Sequence, residues 1–449
     1  MSRLWNEAQS VIQIGLAVIL AAFVVSISPV RSVAAGSIVI GQGPIKGITV
    51  GGVNEYLGIP YAAPPVGNLR WTPPQPPAKF KGVFQATQFG SVCPQIPTFE
   101  PFGDGSFIGD ENCLFLNVYV PNRPAPTHGF PVMVWILGGS FVIGAGSDYD
   151  PTPIVSKADV IVVTINYRLG AFGIFAHPAI DAEGHVNANY QLMDQQFALK
   201  WVRDNIGAFS GDRKRVTIFG QSSGAIDIIA NLASPTAAGL FNNAIMESQA
   251  IDFQDYFPVW SSLADAETSG VALAAALGCA DQTAKCLRSV PASTLAQQSP
   301  VWAIIDGTIL TQTPETAIST GNFNRVPVII GTNHDEGRFA VVGASYDFLG
   351  THLTDDEYQA AVAANIGLPE DDPFVVLLVT DLYPLTNYPP PPGVQSAPLT
   401  LGALGTDFFF ACRSHQATVA LSNYVPTYAY EFNDENAPVL KGLPPTSFP

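Results

Sequence analysis

The chain has 449 residues, of which 47% are hydrophobic and 13% are charged, and its formal net charge at pH 7 is −17. A chain of this length can bury a large core as a single α/β unit. The acidic balance and the lack of a basic cluster exclude nucleic acid as an expected partner, because its phosphates would be repelled.

An apolar run occupies residues 11–27 and is followed by Pro29 and by small residues that end at Ala35. This pattern is typical of a secretory signal peptide, which predicts cleavage of residues 1–35, a mature domain at 36–449 and a secreted or periplasmic protein. The alternative is an uncleaved membrane anchor, because the run approaches the roughly 17–25 residues that span a bilayer. A membrane is an expected partner only in that second case.

Short apolar runs separated by glycine at residues 36–58 predict an antiparallel hairpin or meander at a sheet edge. Near-continuous apolar runs follow at 114–120, 131–137 and 160–166, and such runs are typical of parallel strands covered on both faces. A long helix is predicted at 189–205, with glycines just beyond its end.

The second half of the chain continues the alternation of strands and helices. Strands are predicted at 216–219, 326–331 and 427–432, with helical segments at 253–301 and weaker ones at 346–400. This order predicts the α/β class, with a mostly parallel central sheet, helices on both of its faces and small antiparallel strands at the N-terminus.

The five cysteines suggest two disulfides and one free thiol. Export makes disulfides plausible, and the spacings favour Cys93–Cys113 and Cys279–Cys286. Cys412 has no obvious mate, and we expect it to be a buried thiol. No Cys/His grouping has the spacing of a zinc site, so the sequence predicts neither a metal nor a cofactor.

The pattern Gly-x-Ser-x-Gly, formed by Gly220, Ser222 and Gly224, lies between a predicted strand and a predicted helix. This combination is typical of a nucleophile elbow, in which a strained turn lifts a serine hydroxyl out of the edge of a sheet. Glycine is needed on both sides because larger side chains would collide with neighbouring elements. Ser222 is therefore a candidate nucleophile.

A serine nucleophile also needs donors for the oxyanion that forms on its substrate. A glycine-rich stretch beginning at Gly138 follows the strand at 131–137, and its backbone N–H groups can point inward. The N–H group of Ser223, directly after the elbow serine, is a second candidate donor. The alternative for the glycine-rich stretch is an ordinary tight turn.

Besides the elbow, the chain contains five further motifs in a fixed order, and they are Gly-Ile-Pro-Tyr-Ala at 58–62, Glu-Asn-Cys-Leu-Phe-Leu-Asn-Val at 111–118, Asn-Tyr-Arg-Leu-Gly at 166–170, Asp-Gln-Gln-Phe-Ala-Leu at 194–199 and Gly-Thr-Asn-His-Asp-Glu-Gly at 331–337. This ordered set resembles the type-B carboxylesterases, the family that also contains the cholinesterases. The resemblance extends from about residue 36 to residue 449 and implies an α/β-hydrolase fold. It also implies a carboxylic ester hydrolase that acts on small-molecule esters through an acyl-serine intermediate.

The resemblance implies a Ser–Glu–His triad in which Ser222 is the nucleophile and Glu336 is the acidic member. From the residues alone, Asp335 is an equally good candidate for the acid. Carried over in the same way, the oxyanion donors are the N–H groups of Gly139, Ser140 and Ser223, and the residues beside the triad are Gln221 and Ser248. The two cysteine pairs fall on two disulfides of the family.

The chain departs from the family's pattern at four places, three of which are single residues. Leu137 stands where many members have a histidine, Ser140 replaces a glycine or alanine, and Gln221 replaces the usual glutamate. Since the donors in the glycine-rich stretch are backbone groups, the first two changes are tolerable in principle. The change at Gln221 removes a buried negative charge that would favour a histidinium.

The most serious departure concerns the catalytic histidine, which in the family follows the last strand and a short loop. The chain reaches Pro449 within that loop, so we expect an incomplete C-terminus and impaired hydrolysis. Of the six histidines present, His415 is the least implausible substitute and still a poor one. The alternative function is that of a catalytically dead family member that acts as a binding or adhesion module.

Overall fold

The computed structural model describes residues 33–97, 103–249, 260–298, 303–343, 352–366, 373–390, 392–393 and 395–434. The apolar run at residues 11–27 lies outside the described residues, as do residues 435–449. Among the residues that are described, no helix is both long and apolar enough to cross a bilayer.

Within the described residues, eleven strands form one sheet, and four short strands form two separate pairs. The strands are β1 Val33–Ile40, β2 Gly43–Val50, β3 Val53–Pro60, β4 Phe84–Gln85, β5 Phe115–Pro121, β6 Phe130–Ile136, β7 Ile161–Ile165, β8 Ile174–Phe175, β9 Ala188–Asn189, β10 Gly211–Gln221, β11 Asn243–Glu247, β12 Ser261–Ser262, β13 Ile304–Ile305, β14 Val328–Asn333 and β15 Thr427–Phe432.

The large sheet has the order β1-β2-β3-β5-β7-β6-β10-β11-β14-β15, with β4 paired to β2. The pairs from β1 to β7 are antiparallel, whereas every pair from β7 through β6 to β15 is parallel. The predicted α/β class, with antiparallel strands at the N-terminus and a mostly parallel remainder, is confirmed. Because β6, β10, β11, β14 and β15 run the same way, the segments that follow them meet at one edge.

Thirteen α-helices cover the sheet and its outer parts in the described residues. They are α1 Thr152–Lys157, α2 Gly170–Gly173, α3 Pro178–Asp181, α4 Tyr190–Asn205, α5 Ser223–Ala233, α6 Leu263–Ala276, α7 Ala284–Ser289, α8 Ala292–Leu295, α9 Pro314–Ser319, α10 Tyr358–Ile366, α11 Pro373–Leu382, α12 Ser396–Gly405 and α13 Cys412–Ser422. Two π-helical turns, Arg338–Gly343 and Thr406–Ala411, flank the last part of the sheet.

Strand β7 shows why the central runs are apolar throughout. Ile161, Val163 and Ile165 join the main core, whereas Val162 packs on the other face with Val155 of α1. All five residues of β7 are buried. A strand covered by helices on both faces buries its even and odd residues alike, so the usual alternation of apolar and polar residues disappears.

Both predicted disulfides are present, joining Cys93 to Cys113 and Cys279 to Cys286. The expectation that Cys412 is a buried thiol is wrong, because Cys412 is free and exposed. It is the first residue of α13, whose inward side carries Arg413 and Ala417. The Arg413 guanidinium carbon lies 5.4 Å from the centre of the Phe409 ring, which is a cation–π contact.

Candidate active site

Ser222 occupies the turn between β10 and α5, as the elbow pattern predicts. Its φ is +56° and its ψ is −126°, a conformation that costs an L-residue about 1–3 kcal/mol and that recurs at functional sites. Its N–H group donates to the carbonyl oxygen of Glu247 at 2.9 Å, which ties the turn to the neighbouring strand β11.

The two elbow glycines are required by close backbone approach. A Cβ atom on Gly220 would lie 2.5 Å from the carbonyl oxygen of Ile136, and one on Gly224 would collide with the same oxygen. Strand β6 therefore passes directly beneath the turn. Only a glycine on each side of Ser222 permits this packing.

Residues 138–144 follow β6 and form what we call the oxyanion loop. Gly139, Ser140 and Phe141 have φ values of +121°, +54° and +64°, so two consecutive non-glycine residues are left-handed. The N–H groups of Val142 and Ile143 both donate to the carbonyl oxygen of Gly139. Such a compact turn leaves the N–H groups of Gly139 and Ser140 without an acceptor among the described residues.

The elbow and the oxyanion loop are bonded to each other. The N–H group of Phe141 donates to the Oγ atom of Ser223 at 3.2 Å, and the N–H group of Gly170 donates to the carbonyl oxygen of Phe141 at 2.7 Å. Ser223 is the first residue of α5, where a backbone N–H group has no partner within the helix and lies at the positive end of its dipole. Three candidate donors thus surround the serine.

A cavity of about 610 Å³ lies in front of Ser222, within the usual size range of small-molecule sites. Gly139, Ser140 and Gln221 line it together with Ser222. The remaining lining residues carry no charge, and they are Ile96, Gly138, Val142, Ile143, Gly144, Tyr149, Ala296, Gln297, Gln298 and Phe339. The described wall therefore suits an uncharged group.

Glu336 follows β14, two strands from the elbow in the sheet order. Its Oε1 atom accepts a hydrogen bond from the N–H group of Asn333 at 2.9 Å. Burial and then the charges of Glu247 and Glu336 raise the pKa of Tyr430 on β15 to about 12. Glu336 does not itself line the cavity.

Asp335, the other candidate acid, is turned toward the surface. Its Oδ1 atom lies 3.3 Å from Nδ1 of His334 and 3.2 Å from a guanidinium nitrogen of Arg338, and 41% of its side chain is exposed. An exposed carboxylate held by surface partners is poorly placed to orient a base beside Ser222. Neither Asp335 nor Glu336 lines the described cavity wall, so the choice of Glu336 rests on the family match.

Ser248 occupies the position after β11 that corresponds to Ser222 after β10. It is buried, its φ is +55°, and its N–H group donates to the carbonyl oxygen of Gly331 at 2.7 Å. Its neighbour Glu247 pairs in register with Gln221, and burial raises the pKa of Glu247. The three segments after β10, β11 and β14 therefore form one continuous edge.

Comparison with known proteins identifies the family of this chain. The sequence model of the Carboxylesterase family matches residues 34–447. The chain belongs to the carboxylesterase family. It is 36% identical over 408 residues to the para-nitrobenzyl esterase of Bacillus subtilis (strain 168), covering 87% of this chain and 77% of the relative.

Two further relatives agree with this assignment. The acylcarnitine hydrolase of Mus musculus is 31% identical over 426 residues, covering 90% of this chain and 73% of that protein. A solved structure of a PNB esterase superposes with a TM-score of 0.71 at 34% identity, covering 90% of this chain and 81% of that one. The carboxylesterase resemblance and the α/β-hydrolase fold are confirmed.

None of the six histidines of this carboxylesterase lines the described cavity wall. His177 is buried elsewhere, where Nδ1 accepts from the N–H group of Ala179 and Nε2 lies 2.8 Å from Oε1 of Gln282. His185 contacts Glu183. The other four are exposed, and they are His128, His334, His352 and His415.

Several supporting residues of the site escaped the sequence analysis. Gln95 holds the end of the oxyanion loop at Gly144, and Tyr167 holds its beginning at Leu137. Asp227 lies fully buried one turn into α5. Two signals were available. Tyr167 stands in the motif at 166–170, and Asp227 stands in an apolar stretch five residues after the nucleophile, where a carboxyl group requires partners.

Proposed function

We propose that this chain hydrolyses small carboxylic esters through an acyl-enzyme intermediate on Ser222. The observation that supports the proposal best is that Ser222, held in a strained turn, lines the same cavity as Gly139 and Ser140, whose N–H groups have no acceptor among the described residues. Family membership supports ester hydrolysis in general.

In this mechanism the Oγ atom of Ser222 attacks the ester carbonyl carbon while its proton passes to a base. The N–H groups of Gly139, Ser140 and Ser223 donate to the oxyanion, and each such donor is typically worth about 2.7–4 kcal/mol in the transition state. The C–O bond to the alcohol breaks, the alcohol leaves with a proton, and water then attacks the acyl-serine. Glu336 would orient the base.

We further propose that hydrolysis by these 449 residues is impaired, because none of their histidines lines the cavity that contains Ser222. Loss of one member of a triad typically leaves a residual acceleration of only ~10³–10⁴-fold over water. Reading the gene beyond the codon for Pro449 tests this directly. An in-frame continuation that supplies a histidine would restrict the impairment to the 449-residue chain.

A fluorophosphonate probe tests the nucleophile independently of the base, since it reports formation of a covalent bond to the serine. We expect slow, stoichiometric labelling of the wild-type chain and complete loss of labelling in Ser222→Ala. Ser289→Ala, a substitution at a residue outside the cavity, is the control and should label like the wild type. Equal labelling of Ser222→Ala would refute the assignment.

The second candidate function is that of a family member that binds without catalysis, and the positions of the six histidines favour it. A p-nitrobenzyl ester separates the two functions, and the name of the Bacillus subtilis relative makes it a natural probe. Slow turnover that disappears in Ser222→Ala supports the hydrolase. Saturable binding with no turnover and no probe labelling would support the binding module.

We also propose that the protein is secreted or periplasmic. The two disulfides support this, because such bonds persist in oxidising compartments. Mass spectrometry of the exported protein tests the boundary, and a mature N-terminus near Gly36 is expected. A mass that retains residues 1–35 would instead support the membrane-anchored alternative.

A further inference from the structure

The middle of the oxyanion loop is tied to the elbow by the side chain of Ser223. The N–H group of Phe141 donates to the Oγ atom of Ser223 at 3.2 Å, and both residues are buried. Ser223 follows Ser222 directly and is the first residue of α5. The acceptor of this hydrogen bond therefore belongs to the residue next to the proposed nucleophile.

The elbow itself does not require a hydroxyl group at this position. The pattern Gly-x-Ser-x-Gly leaves the residue after the serine open, and any residue type there supplies a backbone N–H group. The N–H group of Ser223 is already a candidate oxyanion donor. Its hydroxyl group is a separate feature of this chain, and Phe141 uses it as an acceptor.

The backbone of the loop is strained at the point where this hydrogen bond acts. Ser140 and Phe141 have φ values of +54° and +64°, and such conformations persist only where the surrounding structure holds them. Phe141 is held on both sides, because its carbonyl oxygen accepts from the N–H group of Gly170 at 2.7 Å. Ser223 provides the hydrogen bond on the side that faces Gly139 and Ser140 in the chain.

The peptide group held by Ser223 is the neighbour of one that carries an oxyanion donor. The N–H group of Ser140 shares a planar peptide group with the carbonyl oxygen of Gly139, which accepts two N–H groups from later residues of the loop. In a trans peptide the N–H and C=O groups point in opposite directions, so the Ser140 N–H group points away from those donors. Fixing the next N–H group, that of Phe141, restricts rotation about the backbone of Ser140.

We propose that Ser223 is also a positioning residue for the oxyanion loop, through its hydroxyl group. Its N–H group donates to the oxyanion, and its Oγ atom holds the loop that carries the donors of Gly139 and Ser140. This inference rests on the proposed function, because the loop matters as the source of those donors. One residue then sets the spacing of all three donors.

Ser223→Ala separates the two roles of the residue. Alanine removes the hydroxyl group, keeps the backbone N–H group and is the best helix former, so α5 can still begin at this position. Hydrogen–deuterium exchange resolved to single amides measures the effect without requiring ester hydrolysis. After correction for the intrinsic exchange rate, we expect the Phe141 amide to exchange about five- to tenfold faster in Ser223→Ala than in the wild type, the size expected for losing one hydrogen bond.

Ser234→Ala is the matched control, because Ser234 is a buried serine at the other end of α5. Its Oγ atom also accepts a hydrogen bond, from Nε2 of Gln196 at 3.0 Å. In this variant the Phe141 amide should exchange at the wild-type rate. The inference is overturned if Ser223→Ala leaves the exchange rate of the Phe141 amide unchanged.

The wild-type protein provides a test that does not depend on the folding of any variant. The amide of Phe141 is buried and bonded, whereas Ser140 is exposed and its amide has no acceptor among the described residues. We expect the corrected exchange rate of the Phe141 amide to be at least about fivefold below that of Ser140. Equal corrected rates would overturn the inference.

A second readout separates positioning from general destabilisation. In Ser223→Ala, hydrolysis of a p-nitrobenzyl ester should lose kcat about five- to tenfold with little change in KM, because oxyanion donors act on the transition state. Ser234→Ala should keep the wild-type kcat, and a loss confined to KM in Ser223→Ala would contradict the proposal.

The two proposals fail in different ways. An unchanged kcat in Ser223→Ala, with normal probe labelling of Ser222, would refute the positioning role and leave the proposed function standing. Failure of Ser222 to label, with the expected exchange rates at Phe141, would refute the proposed function alone.

Discussion

The side chain of Gln95 makes two hydrogen bonds with the backbone of Gly144, whose N–H group donates to Oε1 at 2.8 Å and whose carbonyl oxygen accepts from Nε2 at 3.1 Å. These bonds fix the end of the oxyanion loop, and Gln95 is buried. We predict that Gln95→Ala lowers kcat/KM about tenfold, since each buried hydrogen bond contributes roughly 1 kcal/mol.

Gln75→Ala is the control for that prediction, because Gln75 is an exposed glutamine whose amide bonds only to the carbonyl oxygen of Pro73. Initial rates on a p-nitrobenzyl ester, measured with both variants at equal concentrations of folded protein, provide the comparison. Equal rates for Gln95→Ala and Gln75→Ala would show that Gly144 does not need this support.

The Cys93–Cys113 disulfide lies two residues from Gln95, so the two disulfides should differ in their effect on activity. We predict that Cys93→Ser with Cys113→Ser lowers the free energy of unfolding by about 2–4 kcal/mol and also lowers the hydrolysis rate. The Cys279–Cys286 disulfide closes a shorter loop far from Gly144. Its removal by Cys279→Ser with Cys286→Ser should lower the free energy of unfolding with less effect on the hydrolysis rate.

Urea unfolding and initial rates on both double variants test this prediction. The result that would contradict it is the same fractional loss of rate in the two double variants, measured where both remain folded. In that case the segment around Gln95 would be positioned by the rest of the fold without its disulfide.

The parts of the site that could be predicted from sequence are those in which backbone sterics restrict the residue type. Gly220 and Gly224 are required because strand β6 passes beneath them, and no other residue type fits. The apolar runs of β6 and β7 follow from burial on both faces. Such constraints act on neighbouring residues in the chain, so they leave a readable local pattern.

The roles of the residues that hold the oxyanion loop could not be read from a local pattern. Tyr167 is 30 positions from Leu137, and Gln95 is 49 positions from Gly144, so only the folded sheet brings these partners together. Cys412 was wrongly expected to be buried because it had no obvious disulfide partner. The helix instead turns the long aliphatic stem and guanidinium of Arg413 inward.

Gly224 provides a test of the elbow geometry that is independent of the chemistry. We predict that Gly224→Ala prevents probe labelling of Ser222 and lowers stability, because a Cβ atom there would collide with the backbone of β6 and overpacking of this kind costs about 1–3 kcal/mol or more. Gly207→Ala is the control, since nothing lies within 4 Å of a Cβ atom at Gly207. Normal labelling of Gly224→Ala would contradict the elbow.

Glu336 provides a test of the proposed impairment. A carboxylate that acts through a histidine contributes little where no histidine is positioned, because members of a triad act as a unit. We therefore predict that Glu336→Gln changes the hydrolysis rate of the 449-residue chain by less than about threefold. Asp335→Asn is the surface control. A loss of rate of two orders of magnitude in Glu336→Gln alone would show that a base is in place, and the proposed impairment would be wrong.

Asp227 should also make the stability of the protein depend on pH, in a direction set by its pKa. The native pKa is about 8, whereas an unfolded aspartate titrates near 3.9, so the native state binds more protons between these values. Stability contributed by the neutral carboxyl group is therefore fully present below about pH 4, falls as the pH rises, and is lost above about pH 8.

Asp227→Asn removes this titration while preserving the size of the side chain. We predict that its free energy of unfolding, relative to that of the wild type, rises steadily from pH 5 to pH 8 and is constant above pH 8, with a slope of at most about 1.4 kcal/mol per pH unit for one proton. Urea unfolding at pH 5, 6.5, 8 and 9 measures the difference. The free energy of unfolding of Asp204→Asn, at an exposed position of α4, should differ from that of the wild type by the same amount at every pH. If the free energy of unfolding of Asp227→Asn also differs from that of the wild type by a constant amount, the Asp227 carboxyl group is ionised throughout this range.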